Sequence, residues 1–206
     1  VLTYDKFYLR LYDSIKLFFK GVVKSITRKQ DYYLRQSHSS DFFHAKCLFA
    51  SLIGSYDNVD MLTDRGSKFV VYPMHYEPES LLTYFSEYTR QSEAVSQIID
   101  SLPVGYELVI KEHPSQPGAL STAMWREIVK HKRVHKIFGT KKIDSILKFP
   151  GTAVVSFGST MVLEAALHGA KCAVFGHVHF AEAPGIVKIK NIVDWPKCLG
   201  SSCVSS

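Results

Sequence analysis

The sequence predicts an α/β fold: a three-layer, Rossmann-like domain with a mainly parallel sheet, preceded by a helical N-terminal segment. Two observations lead to this fold class. After residue 67, short apolar segments alternate with longer segments of helical periodicity, which is the order of strands and helices in a parallel sheet. The strand-like segments are continuous apolar runs, as expected for strands that helices cover on both faces. We therefore divide the chain into a helical segment over 1–66 and a Rossmann-like domain over 67–206.

Residues 3–27 have the pattern of an amphipathic helix, because apolar side chains recur at three- and four-residue steps and cluster on one side. These apolar residues are Tyr4, Phe7, Tyr8, Leu11, Ile15, Phe18, Val22 and Ile26. The basic residues on the opposite side are Lys6, Arg10, Lys20 and Lys24. Two interpretations stay open. The helix packs on its own domain with a solvated basic face, or it lies peripherally on an anionic membrane surface.

The other elements follow from local patterns. Residues 28–43 are polar and rich in Ser and His, which predicts a loop, while 44–56 read as a second helix and 57–67 as a linker. The predicted strands are 68–72, 106–111, 134–138, 152–157 and 172–175. The predicted helices are 79–102, 121–132, 143–148 and 160–168. Ser121 is the expected N-cap of the second of these helices, and Gly169 is the expected stop of the last.

The composition is that of a globular protein with enough length for a sizeable core. The chain has 206 residues, of which 46% are hydrophobic and 21% charged. No apolar run reaches the ~20 residues of a membrane-spanning helix, and the Lys and Arg residues spread through the N-terminal stretch do not fit a secretory signal peptide. The cysteines are Cys47, Cys172, Cys198 and Cys203. They form no CxxC pair, so reduced thiols in a cytoplasmic protein are the simplest interpretation.

The net charge of +6 is concentrated near the N-terminus. Residues 1–36 contain eight Lys or Arg and three Asp, so the rest of the chain is nearly neutral. A nucleic-acid-binding protein usually spreads its basic residues over a binding face. We therefore expect no nucleic-acid partner.

Polar residues follow three of the predicted strands, in the segments 72–79, 111–114 and 158–160. Ligands of open α/β sheets bind at the carboxyl ends of strands. The first segment carries His75, Glu77 and Glu79, which are candidates for substrate binding. The sequence thus predicts a binding site at this edge of the sheet.

The segment after the fourth strand suits an anion. Gly158 permits a tight turn, and Ser159 and Thr160 open a helix whose N-terminal N–H groups attract negative charge. Glu164 lies about one turn further, where its carboxylate could accept from a sugar hydroxyl. The alternative is an ordinary helix with Ser159 as a capping residue. The pattern by itself leaves both interpretations open.

The segment after the second strand brings positive charge to the same edge. Pro114 fixes the chain as it leaves the strand and presents His113, with Lys111 nearby. Both could neutralise a phosphate, and a protonated His113 could assist its departure. The alternative is a surface histidine at a strand end. We expect this loop and the Gly158–Thr160 turn to lie side by side and form one anion pocket.

A metal site is not expected. His177 and His179 are two residues apart, but no carboxylate or cysteine spacing completes a set of ligands. The chain also has no Walker loop, no G-x-G-x-x-G and no G-x-S-x-G motif.

Three stretches in order carry a resemblance: "FVVYPMHYEPES" (69–80), "SLPVGYELVIKEHPSQPG" (101–118) and "VVSFGSTMVLEAALHGAKCAVFGHVHF" (154–180). Together they resemble the bacterial capsule and surface polysaccharide biosynthesis proteins, whose C-terminal halves look like the nucleotide-binding domain of GT-B glycosyltransferases. The His-Pro pair and the Ser-Thr pair are also similar to those of bacterial sialyltransferases and Kdo transferases. Those enzymes use CMP-sugars and need no metal.

The resemblance implies roles for individual residues. His113, Pro114, Gly158, Ser159 and Thr160 would hold the phosphate, with Lys111 and His113 assisting the chemistry. Glu164 would hold a ribose hydroxyl, and His75, Glu77 and Glu79 would contact donor or acceptor. The chain departs from the family pattern at Ser159, where the family often has Gly.

The resemblance also implies a function and leaves alternatives. It points to a glycosyltransferase, or its donor-binding half, that moves a sugar from a nucleotide, CMP-linked by preference, to a glycan or glycolipid acceptor. Such a protein would be cytoplasmic or peripheral at the inner face of the inner membrane. The helical segment 1–66 does not read as the expected second Rossmann lobe, so the chain is either part of a longer enzyme or has a reduced acceptor-side domain. A non-catalytic assembly or export component and a nucleotide-sugar epimerase remain alternatives.

Overall fold

The computed structural model describes residues 7–27, 32–64, 66–76, 90–176 and 178–200. Within these ranges the strands are β1 (Lys68–Pro73), β2 (Tyr106–Lys111), β3 (Val134–Ile137), β4 (Ala153–Ser156), β5 (Lys171–Val174) and β6 (Ile186–Lys188). They form one sheet in the order β3-β2-β1-β4-β5-β6, and every pairing is parallel. This is the strand order of a Rossmann fold. The predicted fold class, a Rossmann-like α/β domain with a parallel sheet, is confirmed.

The helices of the described residues are α1 (Phe7–Thr27), α2 (Tyr32–Ile53), α3 (Val59–Thr63), α4 (Gln91–Asp100), α5 (Arg126–Val129), α6 (Asp144–Leu147), α7 (Met161–Leu167) and α8 (Lys197–Gly200). Short 3₁₀ turns cover Ala119–Ser121, Ala123–Trp125 and Ile192–Asp194. Both faces of the sheet are covered, as its sequence predicts. Val70 and Tyr72 of β1 point into a core with Ile98 of α4. Phe69 and Val71 point into a second core with residues of α6 and α7.

The strand boundaries agree with the sequence pattern to within a residue or two. The helix over 160–168 is observed as α7, and Gly169 ends it with φ +77°, a left-handed conformation that glycine adopts without strain. β6, the 3₁₀ turn Ile192–Asp194 and α8 were not predicted. These elements are three or four residues long, too short to show a period.

Several predicted elements are wrong. The helix predicted over 79–102 does not continue through Arg90, which is extended (φ −136°, ψ 134°), so α4 begins only at Gln91. The loop predicted over 28–43 is helical from Tyr32 onward, as part of α2, which ends at Ile53. Its buried residues Asp41, Ala45 and Leu48 recur at helical spacing, so packing stabilises a stretch that has no apolar period of its own. The helix predicted over 121–132 is broken, and Ser121 is not its N-cap. Thr122 is extended (ψ 162°), so two 3₁₀ turns precede the short α5.

The segment predicted as a linker contains α3, which begins after Asn58. The Asn58 side chain accepts a hydrogen bond from the Asp60 N–H group, and Leu62 is buried in the second core. The division of the chain at residue 66 stays a prediction. Several sequence predictions lie outside the described residues: the segments 1–6 and 28–31, the first part of the helix 79–102, and the C-terminal tail.

Helices α1 and α2 pack against each other, with small residues of α1 at the contact. The Ser14 hydroxyl donates to the Ala45 carbonyl (2.9 Å), and a Cβ atom on Gly21 would lie 3.0 Å from the Phe42 ring. Arg10, predicted on the solvated basic side, donates instead to the Ser51 carbonyl (3.0 Å). The apolar side of α1 remains largely exposed among the described residues, so α2 covers it only in part, and the contact of this side with a membrane stays a prediction.

Candidate functional site

The carboxyl ends of β1, β2 and β4 meet at one edge of the sheet, and the strand order changes direction between β1 and β4. Ligands of this fold bind in the crevice at that switch point. One prediction needs correction here. β1 lies between β2 and β4, so the loop that carries His113 and the Gly158–Thr160 turn are not neighbours. They flank residues 74–76, which follow β1.

His75 links the end of β1 to the end of β4. It is buried, and its Nε2 lies 3.4 Å from the Ser156 hydroxyl. Its backbone is held by Gln91, the first residue of α4. The His75 N–H group donates to Gln91 Oε1 (2.7 Å), and Gln91 Nε2 donates to the His75 carbonyl (2.9 Å). Gln91 is fully buried and gives no sequence signal for this role. His75 is thus a rigid residue at the switch point.

The turn after β4 already uses part of its hydrogen-bonding capacity. The N–H groups of Gly158 (3.1 Å) and Ser159 (3.0 Å) both donate to the Ser156 hydroxyl. The Ser159 hydroxyl accepts from the Met161 N–H group (3.3 Å), as a capping residue does. The side chains of Thr160, directly before α7, and of Glu164, within α7, are exposed. These contacts agree with the capping interpretation, and the phosphate role of the turn stays a prediction.

Lys111 is buried at the end of β2, and its ammonium group donates to the Gly139 carbonyl after β3. Burial lowers the pKa of Lys111, while the carboxylates of Glu164 and Glu112 oppose this effect. Lys111 thus lies buried at the carboxyl end of β2, and its hydrogen bond to Gly139 holds the loop after β3.

Glu112, which sequence reasoning did not assign, organises the loop that carries His113. Its buried carboxylate accepts from the N–H groups of Gly118 (3.0 Å) and Leu120 (2.9 Å) and from the Tyr56 hydroxyl (3.0 Å). Burial raises the pKa of Glu112, and these hydrogen bonds act in the opposite direction. The signal in the sequence was a carboxylate between a lysine and a histidine at the end of an apolar strand. Its partners could not be read from the sequence, because they lie up to 56 positions away.

His113 is half-buried and held from two sides. Its Nδ1 accepts from the Ser115 N–H group (3.2 Å), and its ring meets the Tyr76 ring edge-on at 5.8 Å. Behind it, a Cβ atom on Gly139 would lie 2.8 Å from the His113 carbonyl oxygen and 2.9 Å from Pro114 Cα. Glycine at 139 thus permits the close approach that fixes the His-Pro turn.

Other sequence candidates lie elsewhere or outside the described residues. Glu77, Glu79 and His177 are not described. Within the described ranges, no group of three His, Cys, Asp or Glu side chains could hold a metal ion. A cavity of about 570 Å³ lies beyond β3, between Tyr56–Asp60 and Phe138–Ser145, and contains none of the predicted site residues. None of the helices in the described part of the chain is long and apolar enough to cross a membrane.

Comparison with solved structures finds likenesses at low identity. The chain is similar to a beta Kdo 2,7 transferase, KpsC of Thermosulfurimonas dismutans, at 16% identity over 91% of this chain and 60% of that one. It is also similar to a UDP-GlcNAc 2-epimerase from Methanocaldococcus jannaschii (10% identity, 80% of this chain, 47% of that one) and to S. aureus MnaA in complex with UDP (15%, 78% and 43%). The TM-score is 0.48 in all three cases, and the chain spans 60% or less of each protein.

No curated protein sequence matches the chain. A family model does, and its match extends over residues 54–195, well over half of the sequence. It contains β1 to β6 and every loop at the carboxyl edge described above. The chain therefore belongs to the capsule polysaccharide biosynthesis protein family.

Proposed function

We propose that the chain is the donor-binding part of a glycosyltransferase that uses a nucleotide sugar in capsule polysaccharide synthesis. One observation carries the proposal. In a member of a capsule family, His75, His113 and the Gly158–Thr160 turn all follow strands at the carboxyl edge of a Rossmann-type sheet, on the two sides of its switch point. That crevice is where such sheets take nucleotides. The acceptor would be a glycan or glycolipid.

The chemistry proposed for the site is stabilisation of a leaving phosphate. Negative charge grows on the nucleotide as the glycosidic bond breaks. A donor that is already fixed in place therefore stabilises the transition state more than the ground state. His113, held by its rigid loop with Nδ1 accepting from Ser115, would donate from Nε2–H to that phosphate, and Lys111 would add positive potential. The Thr160 hydroxyl and the turn before it would complete the phosphate contacts, and Glu164 would accept from a ribose hydroxyl.

A CMP-sugar is the donor that we favour, on the basis of the His-Pro and Ser-Thr pairs. A single leaving phosphate carries little enough charge for protein groups alone to balance it, so the proposed reaction uses no metal and no other cofactor. His75, with Glu77 and Glu79 after it, would contact the donor or the acceptor.

We also propose that α1 places the protein on an anionic membrane surface. Tyr12, Ile15, Phe18 and Phe19 are each at least half exposed. Together with Phe42, Phe49 and Lys46 of α2, three of these residues line an apolar groove of about 400 Å³. Aromatic and aliphatic side chains beside lysines are the composition of helices that bind lipid interfaces. A glycolipid acceptor would make this location useful.

The test combines binding with transfer. Calorimetry of the full-length protein with CMP and UDP, together with transfer assays using labelled CMP-sugars and a capsule oligosaccharide, should show nucleotide binding and sugar transfer. The variant His113→Ala should lose about tenfold or more in affinity or turnover, because a charge-assisted hydrogen bond contributes on the order of 1.5–3 kcal/mol. Ser159→Ala should lose less, since the Ser159 hydroxyl is already engaged by the Met161 N–H group and the Thr160 hydroxyl remains.

Three results would contradict the proposal. They are the absence of nucleotide binding by the wild type, a His113→Ala variant that binds and turns over normally, and conversion of the sugar without transfer. The first would favour a non-catalytic assembly component. The last would favour an epimerase.

A further inference from the structure

A second cavity, of about 260 Å³, lies beside His113. It is lined by residues of the N-terminal helices and by residues that follow β1 and β2. Leu17, His44, Cys47 and Leu48 of α1 and α2 form one wall. The opposite wall is formed by Tyr76, which follows β1, and by Ser115, Gln116 and Pro117 of the His113 loop. The Tyr76 ring connects the cavity to the candidate site, because it also contacts the His113 ring.

The polar groups of this cavity are prearranged around His44. The Tyr76 hydroxyl lies 3.1 Å from His44 Nδ1, and the two rings meet edge-on at 4.9 Å. Burial lowers the pKa of His44 below its ordinary value of 6.5. The nearby carboxylate of Asp41 reduces this shift but does not reverse it, so the imidazole is mainly neutral at pH 7. Either the Tyr76 hydroxyl donates to Nδ1 and Nε2 carries the ring proton, or Nδ1–H donates to the Tyr76 oxygen and Nε2 is an acceptor. That Nε2 atom is buried and has no hydrogen-bond partner among the described residues.

The remaining walls indicate what the cavity excludes. No lining residue carries a formal charge once His44 is neutral, so an isolated phosphate has no counterion there. The volume lies below the roughly 300–1,000 Å³ of pockets for drug-sized ligands, so a whole nucleotide sugar does not fit. Leu17, Leu48 and Pro117 offer an aliphatic surface, while His44, Tyr76, Ser115 and Gln116 offer hydrogen-bonding groups.

We infer that this cavity is a subsite for a single sugar ring, recognised through its hydroxyl groups and packed by its C–H face on the aliphatic wall. The inference rests on the proposed function for its position next to the phosphate. The Tyr76 and Ser115 hydroxyls and the Gln116 amide line the cavity, and sugar hydroxyls can donate to or accept from each of these groups. The sugar is either the one carried by the donor or the terminal one of the acceptor, and the two sources need the same recognition chemistry.

The test uses Tyr76→Phe, which removes one hydroxyl, and His44→Phe, which keeps a ring but removes both nitrogens. Tyr106→Phe is the matched control, because Tyr106 is a partly buried tyrosine at the opposite end of β2, packed on Trp195. Thermal melting establishes that each variant is folded. The probes are the uncharged free sugars glucose, galactose and N-acetylglucosamine, observed by saturation-transfer NMR, and UDP-glucose, UDP-galactose and UDP-GlcNAc, each compared with bare UDP and with CMP by calorimetry.

Both site variants should weaken binding of at least one free sugar about three- to tenfold, the effect of losing one neutral hydrogen bond, while Tyr106→Phe should not. If the donor supplies the sugar, affinity for its nucleotide sugar falls and affinity for the bare nucleotide is unchanged. If the acceptor supplies it, only the KM for acceptor rises. The subsite is refuted when the wild type binds none of the free sugars, or when both variants bind them as tightly as the wild type does. A wild type that binds sugars through this cavity but binds no nucleotide overturns the proposed function and leaves the subsite standing.

Discussion

Glu112 shows at the scale of one residue how a buried charge can serve a site without touching a ligand. Its carboxylate lies inside the loop 113–120 and accepts hydrogen bonds from two backbone N–H groups of that loop. It also accepts from the hydroxyl of Tyr56, in the segment before the sheet. The loop is also buried at Gln116 and Leu120, so few of its atoms can move independently. His113 is consequently presented by a fixed backbone, which is what preorganised stabilisation of a leaving group requires.

Replacing Glu112 should therefore cost more stability than replacing its side-chain partner. Glu112→Ala leaves two buried backbone N–H groups unsatisfied and should lower the free energy of unfolding by about 2–4 kcal/mol. Tyr56→Phe removes one hydroxyl donor and should cost about 1 kcal/mol. Urea denaturation of both variants measures the difference. Glu127→Ala, an exposed carboxylate whose contact is Lys130 at the surface, is the control and should change little. Equal losses for Glu112→Ala and Glu127→Ala would contradict this role.

At the scale of elements, Gly118 decides how closely α2 approaches the His113 loop. A Cβ atom at this position would lie 1.8 Å from the Cys47 carbonyl oxygen and 2.7 Å from the Ser51 N–H nitrogen. Both atoms belong to the backbone of α2 and cannot move as a side chain does. The absence of a side chain at one loop residue thus sets the distance between the N-terminal helices and the candidate site.

Gly118→Ala and Gly105→Ala separate packing from backbone strain. Both glycines have positive φ (+88° and +81°), but nothing lies within 4 Å of a Cβ atom on Gly105. Gly105→Ala should cost about 1–2 kcal/mol through conformation alone. Gly118→Ala should cost about 1–3 kcal/mol more, because α2 must shift, and should also weaken nucleotide binding. Denaturation curves and calorimetry measure the two effects, and equal destabilisation by both substitutions would refute the close packing.

The exposed apolar side of helix α1 predicts that the protein binds vesicles of anionic lipid. Phe18→Ser together with Phe19→Ser should reduce co-sedimentation with vesicles containing anionic lipid at least about threefold, because each substitution removes buried apolar area at the interface. Leu167→Ser is the control, since Leu167 is 87% exposed on α7, outside the proposed surface. Vesicles of neutral lipid should bind the wild type more weakly. Unchanged binding by the double variant, or wild-type binding that anionic lipid does not increase, would contradict the membrane proposal. Size-exclusion chromatography then shows whether the same face mediates self-association.

At the scale of the whole molecule, the segment before the sheet is tied to the edge strand β3. Asp57 exchanges hydrogen bonds with the backbone of Lys136, so the edge of β3 is partly covered. Next to it, His135 Nε2 lies 2.7 Å from Glu107, and Nδ1 lies 3.8 Å from Asp57. Burial alone would lower the pKa of His135, but Asp57 and Glu107 together outweigh burial and raise it.

The raised pKa fixes the sign of a pH effect on stability. The protonated histidine is favoured in the folded state, so its contribution is complete below the unfolded pKa of about 6.5 and is lost as the pH rises through the higher folded pKa. Between pH 6 and pH 8.5, the Tm of the wild type should therefore fall more than the Tm of His135→Gln. At this chain length, each kcal/mol lost from the free energy of unfolding lowers the Tm by about 2–4 °C. His168→Gln, which changes an exposed histidine, should keep the wild-type slope. A Tm of His135→Gln that falls with pH as steeply as that of the wild type would show that the contacts of His135 with Glu107 and Asp57 do not stabilise the fold.

The sequence by itself determined the fold class, the strands β1 to β5 and the segments that form the carboxyl edge of the sheet. This was readable because strands covered on both faces must be apolar throughout, and because charged residues directly after such strands mark the place where burial ends. The capsule family could also be identified from three short stretches in their order. All of these signals are local along the chain.

Only the tertiary structure decided which strands are neighbours, and with them the geometry of the site. The sequence placed the loops after β2 and β4 side by side, but β1 pairs with both strands and puts His75 and Tyr76 between them. The helix over 32–43 and the partners of Glu112, His44 and Gly118 likewise depend on contacts between distant parts of the chain. The physical reason is that a residue pattern encodes how deeply a segment is buried, whereas the identity of what covers it depends on which segments pack together.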